Sequence, residues 1–446
     1  MSRDPAASFT QVAATHPRCF WLDGGGGRAW SGRRSMVGWL DEDDVSLSYD
    51  AARGEVVRHV GGGRRVVGED VFAALEAELA AGPPDAHWVG YFGYAARSDL
   101  AARPDPRLPD AVWMRARELR FFHHETPQPV PGRPPLVPGR PPEVPEEYER
   151  AFTRVQEELH AGNSYEVNLT YRLAWAADLA PAAAYLGLRE LNPAPYAGFL
   201  QHDVPGARAW LLSSSPERYA LVTADRTVET KPIKGTTPRG ATADEDERQR
   251  ALLASDPKCR SENLMILDLL RNDLSTVCLP GTVTVPELME VESYAAVHQL
   301  VSTVRGRLAP GVSTVGALRA LFPAGSMTGA PKVRTMQIID AVEETPRGAY
   351  AGAFGWVCAD GRADLGVVIR SLTTAGDGTW QLGTGGGVTV RSSVTEEYAE
   401  SRWKADRLLR VFGPSRPPRP APERAAPADR AAARSAGRPP RRSDRR

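Results

Sequence analysis

Glu262, Asp268, Arg271 and Asp273 fall within "SENLMILDLLRND", a stretch so apolar on nearly every face that it reads as a helix buried between layers. Charges in such a place need partners or a cation, because an ion taken out of water with neither is costly. Arg271 and Asp273 can satisfy each other in an ion-pair network near the helix C-terminal end, whereas Glu262 stands more than a turn away. With Glu397 and Glu400 of "TEEYAESRWKADRLLRVF", Glu262 can build an oxygen-donor site of the kind Mg2+ takes, with one or two protein carboxylates and retained waters. The other reading leaves Glu397 and Glu400 as ordinary solvated acids on a terminal helix.

Two glycine-dense stretches can bring bare backbone close to a ligand. "FPAGSMTGAPK" carries Ser326 and Thr328 into a helix opening at Pro331, where outward N–H groups are either capped locally or hold a carboxylate or phosphate. It is not the GxxxxGK[ST] pattern of a nucleotide loop. "GTGGGVTV" begins at Gly383 and offers a second such backbone, although glycine runs also mark plain bulges. "DLGVVIRSL" alternates as a strand with Arg370 on the face of Gly366 and Val368, a guanidinium fork suited either to a carboxylate or to a neighbouring acid. With Lys404, these groups point to a small polyanionic ligand, a dicarboxylate above all, held with Mg2+. Lys234, in the confined turn of "KPIKGTTPRG", reads by itself as a solvated turn lysine.

The elements that must position these groups follow from periodicity. "ARAWLLSSSPERYALVTADRTVETKPIKG" reads as strand, turn, strand, with Lys234 just past a strand end. "PKVRTMQIIDAVEE" is a helix with Met336, Ile339 and Val342 as its buried stripe, and the terminal helix turns Tyr398, Ala405, Leu408, Leu409 and Phe412 inward. The repeated "VPGRPPL" and "VPGRPPE" make residues 127–145 a proline-rich linker. It separates an N-terminal domain, 1–126, from a domain spanning 146–412. From Gly413 to the end, ten arginines stand against three acids in a Pro, Ala and Arg-rich tail, 413–446, that cannot bury enough apolar surface to order itself.

Composition narrows the classes further. The 446 residues carry zero formal net charge and 42% apolar residues, which fits a globular protein better than a nucleic-acid binder. Because the tail is basic, the body is mildly acidic. Cys19, Cys259, Cys278 and Cys358 show no zinc or CxxC spacing, so free thiols in a reducing compartment, the cytoplasm, are expected. No stretch approaches the roughly 18 apolar residues of a membrane span, and the N-terminus lacks a signal-peptide core.

Taken in order, "GNSYEVNLT", "SSSPERY", "KPIKGTTPRG", "SENLMILDLLRND", "HQLVSTVRG", "FPAGSMTGAPK", "RGAYAGAFGW", "DLGVVIRSL" and "GTGGGV" followed by "EEYAES" resemble the chorismate-utilising enzymes. Within them the likeness is to the component I group of aminodeoxychorismate synthases, with component I of anthranilate synthases as near relatives. It covers residues 146–412 continuously; "FWLDGG" and "GYFGY" extend it more faintly into the N-terminal domain. The resemblance implies an α/β (α+β) fold of large antiparallel β-sheets packed as a sandwich with helices outside, and chorismate bound with Mg2+ in a deep cleft. It implies that Glu262 and Glu400 ligate Mg2+ with Glu397 nearby. Arg370 and Tyr350 would hold the enolpyruvyl end with backbone at Gly385 and Gly387, and His298, Thr328 and Lys404 would line the ring and its carboxylate. Ser214 and Thr236 would complete the substrate contacts.

The resemblance also implies a use for Lys234. Para-aminating members carry a lysine there that attacks ring C2 before ammonia displaces it from C4; anthranilate synthases typically carry alanine and add ammonia at C2 directly. The amine must be neutral when it attacks, so burial or nearby cations such as Mg2+, Lys231 or Arg239 are expected to favour that form. Glu217 would be the general acid and then base, its other reading being an ion pair with Arg218. Glu166 stands where water-adding members carry lysine and ammonia-using members often carry glutamine, and Arg391 stands where aspartate is common. "FWLDGG" lacks the Leu-Glu-Ser element tied to tryptophan feedback. No cysteine has a glutamine-hydrolysing context, so a separate glutamine amidotransferase is the expected partner. The alternatives are ortho amination, as in anthranilate synthase component I, and a non-catalytic chorismate-binding regulator.

Overall fold

The run His87–Phe92 shows how the core is built. Its even residues, Trp88 and Phe92, pack with helices on one side, and its odd residues, Val89 and Tyr91, pack on the other, the two-residue period of a strand buried on both faces. Burying each of these large side chains contributes about 2 kcal/mol against the chain entropy it must offset. In the computed structural model, which describes residues 4–24, 34–124, 143–294, 297–413 and 419–420, such strands form two large antiparallel sheets.

The first sheet runs in the order Gly329–Ala330, Glu166–Ala176, Thr379–Val388, Ser371–Thr374, Ala209–Ser215, Tyr196–His202, Arg18–Asp23, Arg34–Trp39 and Glu118–His123. The second carries Ile233–Pro238, Val297–Arg307, Thr227–Lys231, Arg218–Val222, Ala363–Val367, Ala353–Cys358 and His87–Phe92, and continues into further N-terminal strands. The sheets face each other through Phe20, Met36, Leu200 and Leu211 of the first and Val89, Tyr91, Val112 and Met114 of the second. Helices cover the outer faces. Ile266, Leu270 and Leu318 pack on the second sheet, and Phe9, Tyr185 and Leu408 pack on the first. This is the expected sandwich with helices outside.

Each sheet draws strands from both sides of residues 127–145. Most of that expected linker, and all of the tail except residues 419–420, lies outside the described residues; Arg419–Pro420 pairs beside the strand Glu166–Ala176.

Three local readings need correction. The helix Pro257–Ser275 is not buried between layers: Asn263, Ile266, Leu267, Leu270 and Leu274 face the sheet, while Leu264 is 54% exposed. Asp273 pairs with Lys332 at 2.7 Å, and Arg271 reaches back to Asp268, because Arg271 and Asp273 leave a helix on different faces. Finally, "DLGVVIRSL" is not one strand. Ala363–Val367 belongs to the second sheet and Ser371–Thr374 to the first, so the chain crosses between sheets at residues 368–370. Alternation along one strand therefore does not set the direction of Arg370.

Candidate active site

A second crossover lies beside that one. Ala209–Ser215 ends in the first sheet, Arg218–Val222 begins in the second, and Pro216 and Glu217 bridge them. The Glu217 carbonyl accepts a 3.0 Å hydrogen bond from the Val367 N–H, tying the crossovers together. They form part of the wall of a cavity of about 560 Å³, a size suited to a small-molecule ligand. Its other walls are the strand Ile233–Pro238, the N-terminal turns of Pro257–Ser275, the glycine run of Thr379–Val388, and the helix Val394–Leu409.

Lys234 enters this cavity because its strand is irregular. Pro232 separates Thr227–Lys231 from Ile233–Pro238, and the register against Val297–Arg307 slips between Ile233 and Thr236. Such a bulge re-aims a side chain that regular pleating would place otherwise. Gly235 makes it possible. Its φ is +91°, and a Cβ there would come 2.8 Å from the Cys259 Sγ on the facing helix. Lys234 is buried, at 8% exposure, and its Nζ donates to the Glu166 Oε1. Burial penalises the ammonium, but Glu166, Glu262 and Glu217 outweigh it and hold the pKa above its ordinary value. Two of the cations expected to favour the neutral amine are engaged by acids instead: Lys231 binds Glu287 and Glu292, each at 2.8 Å, and Arg239 binds Asp246.

The ion pair lies over the glycine run. A Cβ on Gly387 would sit 2.3 Å from the Glu166 Oε1 and 3.1 Å from the Lys234 Nζ. Gly387→Ala is therefore expected to push the pair toward the cavity and lower kcat/KM by roughly 10²-fold, since displacements of about 1 Å in a site have that effect. Steady-state kinetics together with a thermal melt check this; an unchanged kcat/KM in a folded variant would show that the close approach is irrelevant.

Glu217 is 5% exposed and accepts a 2.5 Å hydrogen bond from the Ser326 hydroxyl. Burial pushes its pKa up to about 7, opposed by Ser326, Lys234 and Arg370, so it holds a proton for part of the time at neutral pH. Arg370 has φ +48°, the left-handed region that a non-glycine residue avoids unless its surroundings impose it. Its carbonyl accepts from the Ser214 N–H at 3.2 Å. The guanidinium lines the cavity and makes no side-chain hydrogen bond or ion pair among the described residues, which leaves its fork for a ligand. Burial and Arg407 bring its pKa down to about 10, so it stays charged near pH 7. Tyr350 lines the same wall with the Arg172 guanidinium 5.0 Å over its ring.

Glu262, Glu397 and Glu400 form an acidic part of the cavity lining. The Lys258 ammonium donates to the Glu397 Oε1 at 2.9 Å and lies 3.9 Å from the Glu262 Oε1, which is buried with no hydrogen-bond partner among the described residues. Burial pushes Glu262 up to about 7, and Lys404, 2.9 Å away, holds Glu400 down at about 2. The acids do not converge as a preformed metal cluster among the described residues. They do offer an unsatisfied carboxylate oxygen, and a cationic side chain is already drawn between two of them. That arrangement fits a hard, oxygen-seeking ion that brings its own waters.

The family model described as chorismate binding enzyme matches residues 18–410. The chain belongs to that family. Aminodeoxychorismate synthase of Streptomyces pristinaespiralis is 40% identical over 91% of this chain and 63% of its own length. Aminodeoxychorismate synthase component 1 of Klebsiella aerogenes is 44% identical over 59% of this chain and 57% of its own. The chain thus spans less than two thirds of either relative. Among solved structures, anthranilate synthase component I from Streptococcus pneumoniae superposes with a TM-score of 0.69 at 25% identity, covering 85% of this chain and 92% of that one.

Of the residues the chorismate-enzyme resemblance singled out, Lys234, Glu217, Thr236, Tyr350, Arg370, Gly385, Gly387, Lys404, Glu262, Glu397 and Glu400 line one cavity. Ser214, His298 and Thr328 do not. Ser214 is buried behind the wall, where its hydroxyl accepts from the Asn192 side chain at 2.6 Å while its N–H holds Arg370. Thr328 is fully buried, with its hydroxyl on the Gly325 carbonyl at 3.2 Å and its carbonyl on the Asn168 N–H at 2.9 Å. His298 lies between Ser293, at 2.7 Å, and Asp246, at 3.0 Å. Neighbours on a strand point to opposite faces, so its neighbour Gln299 reaches the cavity instead. Strand alternation carried that signal. Asn168, Lys258 and Trp403 also line the cavity; Asn168 lies in "GNSYEVNLT" and Trp403 in the terminal helix, but none of the three was singled out. Arg391 lies outside that lining, and its N–H bonds weakly to Thr389 at 3.4 Å.

Proposed function

We propose that the cavity binds chorismate and that this chain replaces the C4 hydroxyl with an amino group, giving 4-amino-4-deoxychorismate. The observation that carries this reading is one buried amine, Lys234, presented to the same cavity as a carboxyl that holds a proton near neutral pH, Glu217. Relatives named aminodeoxychorismate synthase support it.

Arg370 would take the enolpyruvyl carboxylate with Tyr350 and the backbone at Gly385 and Gly387, and Lys404 would face the ring carboxylate. Glu262 and Glu400, with Glu397 beside them, would hold Mg2+. When bound, the ion supplies positive charge to the ring carboxylate and eases loss of the hydroxyl. The Lys234 amine forms a bond to C2 while the two ring double bonds shift and the C4–O bond breaks; Glu217 gives its proton to the leaving oxygen, which departs as water. Ammonia then bonds to C4, the double bonds shift back, and the lysine nitrogen leaves C2. Glu217 takes the surplus proton from the new amine. We assign the ammonia to a glutamine amidotransferase partner, a reading that the name component 1 on the Klebsiella aerogenes relative supports. Four free cysteines fit a cytoplasmic setting, and no helix among the described residues is long and apolar enough to cross a membrane.

The deciding experiment incubates the protein with chorismate, Mg2+ and ammonium and identifies the product. The expected product is 4-amino-4-deoxychorismate, read as 4-aminobenzoate after adding a lyase. Anthranilate as the main product would assign ortho chemistry, and no turnover with tight chorismate binding would indicate a regulator.

A further inference from the structure

Lys234 meets the cavity as an ammonium, yet the proposed reaction needs its lone pair, so a group must remove one proton and later return it. Glu217 is committed to the leaving hydroxyl. Glu262 faces the lysine electrostatically, but it belongs to the acid wall proposed for Mg2+. Glu166 is the carboxylate already in contact: its Oε1 accepts directly from the Lys234 Nζ. Its other oxygen, Oε2, is buried with no hydrogen-bond partner among the described residues, and the side chain is 1% exposed.

The backbone beneath it is pinned. Ala330 pairs with Glu166 across the sheet, and the Ser164 hydroxyl donates to the Glu166 carbonyl at 2.8 Å. Gly387 leaves the space in which the carboxylate and ammonium meet. This carboxylate is therefore held in one place against the reacting nitrogen, with its second oxygen buried. A buried ion pair of this kind becomes a neutral amine and carboxylic acid by moving a single proton along an existing hydrogen bond, and excluding water favours the neutral pair. Chorismate filling the cavity would exclude that water.

We propose that Glu166 is the base that frees the Lys234 amine, accepting one proton from Nζ onto Oε1 as substrate fills the site and returning it when the lysine leaves C2. The proposal rests on the amination reading. Protons balance: the one lent to Glu166 goes back to Lys234, and the one that leaves in water is the one Glu217 recovers from the incoming ammonia.

The test compares Glu166→Gln with the parent across pH 6.5 to 9.5, after a thermal melt shows both folded. Glutamine keeps the shape and an acceptor oxygen but does not take the proton. The expected result is a loss in kcat of about 10²-fold near pH 7, within the range for removing a proton-transfer group. The variant-to-parent ratio should rise with pH as solvent strips the lysine instead, and taking the ratio cancels the titration of Glu217. Formate should restore part of the rate of Glu166→Ala. Turnover of Glu166→Gln equal to or faster than the parent near pH 7 would overturn the proposal, because Glu166 would then only hold the lysine charged. A loss constant at every pH with no formate rescue of Glu166→Ala would overturn it too, leaving a structural role. Failure of the amination reading is visible separately, as the wrong product from the parent.

Discussion

Lys234→Ala is expected to lower para-product formation by roughly three orders of magnitude, about 4 kcal/mol of transition-state stabilisation, and to expose anthranilate as a minor product. Without the amine, only ammonia can attack C2, and a single displacement leaves nitrogen ortho to the carboxylate. The substitution also has a structural effect that must be separated from the chemical one. Lys234 neutralises Glu166 and stands in the field of Glu262 and Glu217, so its loss leaves the buried Glu166 carboxylate without its cation. Breaking a buried pair in this way typically destabilises by about 3–5 kcal/mol. The double variant Lys234→Ala with Glu166→Gln removes both charges and is expected to recover much of the melting temperature while staying deficient in para product. Product analysis by chromatography and thermal melts of both variants check this. Undiminished para turnover in Lys234→Ala would eliminate the covalent step.

What could be read from the residues beforehand divides along a physical line. Local periodicity marked the strands, the terminal helix and its inward face, because burial repeats every two or 3.6 residues whatever lies opposite. Motif resemblance gathered Lys234, Glu217, Arg370 and the three acids, which the fold does bring to one cavity. Non-local events were not legible. "SSSPERY" lies in a stretch that reads as strand, turn, strand and "DLGVVIRSL" reads as one strand, yet each crosses from one sheet to the other, and Glu217 and Arg370 owe their positions to those crossovers. Gln299 rather than His298 faces the cavity because of strand register. The expectation of a neutral Lys234 rested on burial or on cations such as Mg2+, Lys231 or Arg239, but Lys231 and Arg239 are engaged by acids from other elements, and the carboxylate that pairs with Lys234 comes from 68 residues away. Pairing between distant carboxylates and amines depends on topology, which periodicity does not encode.

Glu217→Gln is expected to lower kcat by about 10²- to 10⁴-fold with little change in chorismate affinity, because glutamine keeps an oxygen for the Ser326 hydroxyl but has no proton to give the leaving hydroxyl. The pH dependence fixes the role. The acid must be protonated, so with its carboxyl pushed up to about 7 the parent's kcat/KM should be full below that pH and decline as pH rises through it. The corresponding limb should be missing from the variant's residual activity. Stability supplies an independent reading with the same sign. The folded-state value lies above the ordinary 4.5, so the native state binds more protons than the unfolded chain, and the contribution is complete below about 4.5 and lost as pH climbs through about 7. The loss amounts to about 3 kcal/mol at full ionisation of so buried a group. Glu217→Gln removes that ionisation, so relative to the parent it should gain melting temperature between pH 5 and pH 8.5. A variant that tracks the parent in both profiles would show that Glu217 neither carries the catalytic proton nor bears a charge inside the cavity wall.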